Sequence, residues 1–147
     1  VSFSSDINAF VKKAGSNADL VTRKIVLEIG KSLIEKTPVG DAIYWAHPAP
    51  PGYVGGHARA NWSYSEGVRV IQEFADIDKT GDVSLARITE NVPIQAGGKV
   101  HFIQNSVPYA QALEDGHSRQ AAGPNAIVGR TQIEFQDFIK TALAGLK

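Results

Sequence analysis

Val21, Ile25, Ile29 and Leu33 recur every four residues in a stretch without proline. That spacing places them on one face of an α-helix and predicts a helix over roughly Ala18–Lys36. Ser16 and Asp19 have capping-box spacing at its start. Upstream, Ser4 or Ser5 would cap a shorter helix carrying Ile7, Phe10, Val11 and Ala14, which Gly15 ends. On the long helix, Lys24, Glu28, Lys31 and Glu35 form a charged stripe within pairing reach. Beyond it lie Leu20, Leu27 and Ile34, seven residues apart. A surface helix needs only one apolar face, so this second stripe meets either another layer of the same domain or a neighbouring subunit.

Thr37-Pro38 stops the helix. The next eighteen residues, "VGDAIYWAHPAPPGYVGG" (Val39–Gly56), hold three prolines, four glycines and three large aromatics, and have neither helical nor strand periodicity. They read as a long loop, and Tyr44, Trp45 and Tyr53 in it need apolar contact. Ala60, Trp62 and Tyr64 then alternate with Asn61, Ser63 and Ser65, which predicts a half-buried strand. Val68–Ala75 reads as a second, weaker strand. Asp76–Gly81 is a turn, after which Asp82 or Ser84 caps a helix to about Asn91. "KVHFIQN" is a strand of high β-propensity. Pro108 and Gly116 bracket a short helix. A final helix from about Pro124 puts Ile127, Thr131, Phe135, Phe138, Ile139, Ala142 and Leu143 on one face, with Gly129 weakening its first turns. The expected fold is α+β: one domain over residues 1–147, with a small, mostly antiparallel sheet against a long N-terminal helix, a short helix and a long C-terminal helix.

Composition narrows the function classes. The chain has 147 residues, 43% hydrophobic and 20% charged, with 15 basic and 15 acidic side chains. That suits one globular domain and gives no basic excess of the kind nucleic-acid binding uses. Without cysteine there is no disulfide, thiolate nucleophile or Cys-based zinc site. No apolar run approaches the ~20 residues that span a bilayer, and Val1–Phe10 has no signal-peptide pattern, so the expected compartment is the cytosol and no membrane partner is expected.

Candidate chemistry is sparse. "DIDKTGD" (Asp76–Asp82) begins like a calcium loop, but its twelfth position is Arg87, where a bidentate glutamate belongs. The four histidines, His47, His57, His101 and His117, have no metal-ligand spacing. There is no GxSxG elbow, and the glycine pairs at 55–56 and 97–98 do not continue into a phosphate-binding motif. Asp115, His117 and Arg119 follow the short helix and fit either an active site or a docking turn.

Two segments resemble a known family. "TPV" (Thr37–Val39) followed by "GHARANW" (Gly56–Trp62) is similar to the Thr-Pro-Val, Thr-Gly, Leu-Arg-Ala-Ser-Trp signature of tail-completion, or neck, proteins of long-tailed bacteriophages. "PYAQALEDGHSRQAAGPNAIV" resembles that family's second signature, Tyr-Ala-x-x-Leu/Val-Glu-x-Gly-Thr/His-Ser and a small loop. With the stretch between the halves of the first, the two span about a third of the chain, in the family's order. The Val39–Gly56 stretch is an insertion where many relatives pass almost directly to the Thr-Gly step.

The resemblance implies a non-enzymatic virion protein, made in the bacterial cytoplasm, without cofactor or metal. It would form a homo-oligomeric ring at the head–tail junction, six-fold in preference to twelve-fold, between head-closure or connector proteins and tail-tube or tail-terminator proteins. DNA would pass through its channel without specific binding. The expected contact residues are Tyr44, Trp45 and Tyr53 of the insertion, Leu20, Leu27 and Ile34 of the second stripe, and Arg59, Glu114, His117 and Arg119. Arg59 and Glu114 are expected to pair, and Tyr109 and Leu113 to bury against the sheet. Two other classes compete: a small metal-dependent hydrolase using His47, His57, Asp115 and His117, and a carbohydrate-binding module using Tyr44, Trp45 and Tyr53.

Overall fold

The computed structural model describes residues 17–44 and 47–146. The expected N-terminal helix, the Ser16 half of the capping box and Trp45 lie outside the described residues. The chain runs through the long helix α1 (Ala18–Lys36) and a 3-10 turn (Ala42–Tyr44) to a single helical turn α2 (His57–Ala60). Strand β1 (Trp62–Glu66), helix α3 (Asp82–Asn91) and strand β2 (His101–Asn105) follow. Helix α4 (Ala110–Glu114), the two-residue strands β3 (His117–Ser118) and β4 (Ala121–Ala122), and the long helix α5 (Val128–Ala144) complete it. The class is α+β, as the pattern predicts.

β1 and β2 form an antiparallel pair with Trp62 opposite Asn105 and Tyr64 opposite Ile103. β3 and β4 form a second, minimal antiparallel pair. Because side chains alternate across a strand, Trp62, Tyr64 and Ile103 share the face turned to the core. There they meet Val26, Leu33 and Ile34 of α1 and Ile88 of α3. Val21 and Ile25 pack with Ile139 and Ala142, joining the two long helices. Buried Gly30 lets α1 approach α3 closely, since a Cβ there would stand 3.2 Å from Ile88 Cδ1. A polar cluster also ties α1 to α5: Ser32 Oγ lies 3.1 Å from Thr131 Oγ1, and Lys36 pairs with Glu134 at 2.5 Å.

Three local expectations need correction. Ala60 is not in the strand; it closes α2, and β1 begins at Trp62. The turn forms because the carbonyls of Ala58, Arg59 and Ala60 have partners elsewhere: Asn105 Nδ2, Ser84 Oγ and Arg87. Tyr109 is 43% exposed rather than buried against the sheet, whereas Leu113 does pack on the core.

Val68–Ala75 is not a strand either. It is an extended strap lying over the polar face of β1–β2. Its alternate backbone N–H groups find side-chain acceptors instead of a ladder: Val70 on Gln104, Gln72 on Ser106 and Phe74 on Asn61. The Asn61 amide returns a bond to the Phe74 carbonyl at 3.0 Å, so one buried side chain holds both backbone groups of that residue. The cover explains why Ser63 and Gln104, polar residues on the face away from the helices, are both buried.

Candidate functional site

The first resembling segment is built around the end of α1. Thr37, only 1% exposed, donates its hydroxyl to the Leu33 carbonyl at 2.7 Å and accepts the Trp62 indole N–H at 2.7 Å. Arg59 wraps the same helix end. Its Nε and Nη2 donate to the Thr37 carbonyl at 3.0 and 2.8 Å, and its Nη1 to the Lys79 carbonyl at 2.8 Å. A cation at the carbonyl end of a helix is also favoured by the helix dipole. Threonine, arginine and tryptophan therefore form one unit joining α1, α2 and β1.

The second segment is built around the start of α5. The Glu114 carboxylate accepts the backbone N–H groups of Ile127 and Val128 on one oxygen, at 2.9 and 2.8 Å, and that of Gly129 on the other, at 3.0 Å. These donors have no partner within the helix, and a carboxylate is the group best matched to them. Gly116 follows with φ of 79°, and a Cβ there would collide with the backbone of Gly123. The short α4 is thus closed by a glycine and anchored by its final glutamate. The expected Arg59–Glu114 pair does not form: each side chain serves backbone groups at a different helix end.

The Asp76–Asp82 turn is likewise a capping device. Asp78 accepts from the Gly81, Val83 and Ser84 amides at 2.8, 2.9 and 3.2 Å, starting α3. Burial pushes its carboxyl up, but these bonds, with the Thr80 hydroxyl, hold it below the ordinary value. The cap is therefore Asp78, not Asp82 or Ser84; the Ser84 hydroxyl instead reaches the Arg59 carbonyl. Arg87 pairs with Asp76 at 2.6 Å and stacks 3.7 Å over the Phe74 ring. The cation at the twelfth position therefore binds the acid at the first.

The second stripe of α1 divides. Ile34 is 3% exposed inside the core, Leu27 packs partly buried against it, and Leu20 is 50% exposed. Ile34 is thus an internal layer, out of a partner's reach in this fold.

The histidines serve separate contacts. His57 lies 2.9 Å from Glu73 and 3.3 Å from the Asp76 carbonyl. His101 bridges the Tyr64 hydroxyl at 2.7 Å and the Ala96 carbonyl at 2.8 Å. Asp115 accepts from Gln111. Among the described residues, no three His, Cys, Asp or Glu side chains come together as metal ligands.

What the fold does bring together is the insertion and the second segment. They enclose a cleft of about 990 Å³. Tyr53, His47 and the prolines of the insertion form one side; Tyr109, Leu113, His117 and Arg119 form the other. The insertion is pinned at its base, where the Gly56 amide donates to the Val39 carbonyl at 2.5 Å and the Gly40 amide to Gln120 at 3.1 Å. Although Tyr109 is partly exposed, its partial burial, with Tyr53 and Glu73 nearby, raises its phenol above the ordinary value.

A second exposed feature is the strap, where Val68 is 67% and Ile71 84% exposed. Sequence periodicity missed both the strap's role and the Asp78 cap, although an aspartate three residues before a glycine and four before the helix was a legible capping signal. Compared with known proteins, the chain matches no family model, no curated protein and no solved structure.

Proposed function

We propose that this chain is a structural, non-catalytic virion protein of a long-tailed bacteriophage. In this reading it forms a ring, six-fold in preference to twelve-fold, at the head–tail junction. It completes the tail there by joining connector or head-closure proteins to the tail tube or its terminator. The observation that carries the reading is the interlock of the resembling residues. Thr37, Arg59 and Trp62 make one unit at the end of α1, and Glu114 and Gly116 make another at the start of α5. A shared signature is expected to preserve junctions of this kind, because they fix the positions of long helices.

Two surface features support assembly. Val68, Val70 and Ile71 are exposed together on the strap, and contiguous apolar exposure of this kind marks interaction surfaces. The cleft beside the insertion adds a concave surface with two tyrosines. Leu20 of the second stripe is also free for contact.

The test is to tag the chain in its own virus and determine the structure of the purified particle. The reading requires a closed ring of the tagged chain between capsid and tail. Particles that assemble and infect without the chain would overturn it.

A further inference from the structure

The strap carries two sets of backbone groups. Along an extended chain, successive residues turn their N–H and C=O groups to opposite edges. Val70, Gln72 and Phe74 turn theirs toward the sheet, where Gln104, Ser106 and Asn61 accept the amides. Arg69, Ile71 and Glu73 therefore turn theirs outward, and among the described residues no hydrogen bond uses these backbone groups. The outer side of the strap is an unpaired strand edge, with Ile71 at its centre 84% exposed.

Natural edges are commonly blocked by lysine or proline, and neither occurs between Gly67 and Asp78. Val68, Val70, Ile71 and Phe74 favour extended pairing. The charges on the edge are Arg69 and Glu73. No bond or ion pair engages the Arg69 side chain among the described residues, and Glu73 meets His57 through Oε1, with Oε2 left unbonded.

These charges select one occupant. Consider an antiparallel pair in which Ile71 faces the Ile71 of a second copy. The outward groups of each chain then meet those of the other. Arg69 stands opposite Glu73 of the second copy, and Glu73 opposite its Arg69, and facing opposite charges favour a strand pair. Sliding the register by two residues, the smallest step that keeps the outward groups facing, puts Ile71 or Gly67 opposite Glu73 and loses both contacts. A parallel, in-register pair sets like charges side by side.

We propose that the outer edge of the strap pairs with the same edge of a second copy of this chain, in the antiparallel register that sets Arg69 against Glu73 at both ends. A two-fold contact closes on two copies and does not build a cyclic ring. The pair therefore belongs to the free chain and goes beyond the ring reading.

Sedimentation equilibrium of the purified chain at low salt reads the pairing. The wild type should form a dimer that dissociates on dilution. Arg69→Glu and Glu73→Arg each set like charges opposite one another, and each should weaken the dimer at least tenfold. Both change exposed side chains, so the circular dichroism spectrum should stay as in the wild type. Mixing the two variants restores opposite charges at both ends, so a mixed dimer should form. The doubly reversed variant should likewise dimerise with itself. Ile71→Pro removes an amide that only the pair uses and should leave a folded monomer. A wild type that stays monomeric at its highest soluble concentration would overturn the proposal. So would single variants that dimerise like the wild type, a mixture that stays monomeric, or an undiminished Ile71→Pro dimer. None of these results bears on ring formation, which is read in the particle.

Discussion

The Trp62 indole N–H donates to the Thr37 hydroxyl at 2.7 Å, and that hydroxyl donates in turn to the Leu33 carbonyl at 2.7 Å. One oxygen so terminates α1 and fixes the start of β1. Thr37→Val keeps the shape but leaves the buried indole N–H without an acceptor, which should cost about 1–3 kcal/mol. In that background Trp62→Phe should cost less than it does in the wild type, because the orphaned donor is removed. Urea unfolding of the four proteins measures the coupling; additive costs would contradict the bond.

Glu114 and Arg59 cap different helix ends, so their effects should be independent. Glu114→Ala should lose about 1–2 kcal/mol, the range for a strong N-terminal cap, and Glu114→Gln less. The double variant Arg59→Ala, Glu114→Ala should equal the sum of the singles within about 0.5 kcal/mol. Coupling well above that would restore the direct pair that the spacing of the two segments suggested.

Acid should weaken the Asp78 cap. Its folded carboxyl titrates below the ordinary value, with burial opposing and the Gly81, Ser84, Thr80 and Val83 bonds prevailing. The stabilisation is then fully present above the unfolded value of about 3.9 and is lost as pH falls through the lower folded value. Asp78→Asn should be less stable than wild type at pH 6, and the gap should narrow as pH falls below the unfolded value of about 3.9 and through the lower folded value. A gap that stays constant from pH 6 to pH 2 would show that the charge is not what starts α3.

The second stripe of α1 should give graded responses. Ile34→Asp buries an unpaired charge and should abolish the native fold. Leu20→Asp, on an exposed position, should change stability by no more than about 0.5 kcal/mol. If Leu20 meets a neighbour, that variant should also fail to enter particles. A soluble, folded Ile34→Asp protein would contradict the packing of α1.

The sequence made the local elements legible. Ala18–Lys36 begins and ends where apolar spacing and turn residues put it, and Asp82–Asn91 lies where they put it apart from its cap, because that information is carried within a few residues. The buried face of α5 was also readable, through Thr131, Ile139 and Ala142. What was not readable depends on distant partners. Nothing near Glu114 shows that its donors lie thirteen to fifteen residues on, and nothing near Val70 shows that Gln104 waits to accept its amide. The same limit applies to the cleft: Tyr53 and Arg119 stand far apart in the sequence, and their sharing one concavity follows from the fold of the insertion.

The strap's manner of attachment separates its fate from that of the sheet. Val70, Gln72 and Phe74 are each held by an individual side chain, whereas β1 and β2 share a cooperative backbone ladder. Lifting the strap breaks none of the ladder's bonds, so it can detach as a unit of its own. Deuterium should therefore enter those three amides well before it enters the β1–β2 ladder. In any assembly that clamps the strap, the same amides would be slowed most, which makes them a built-in reporter of whether this face is occupied.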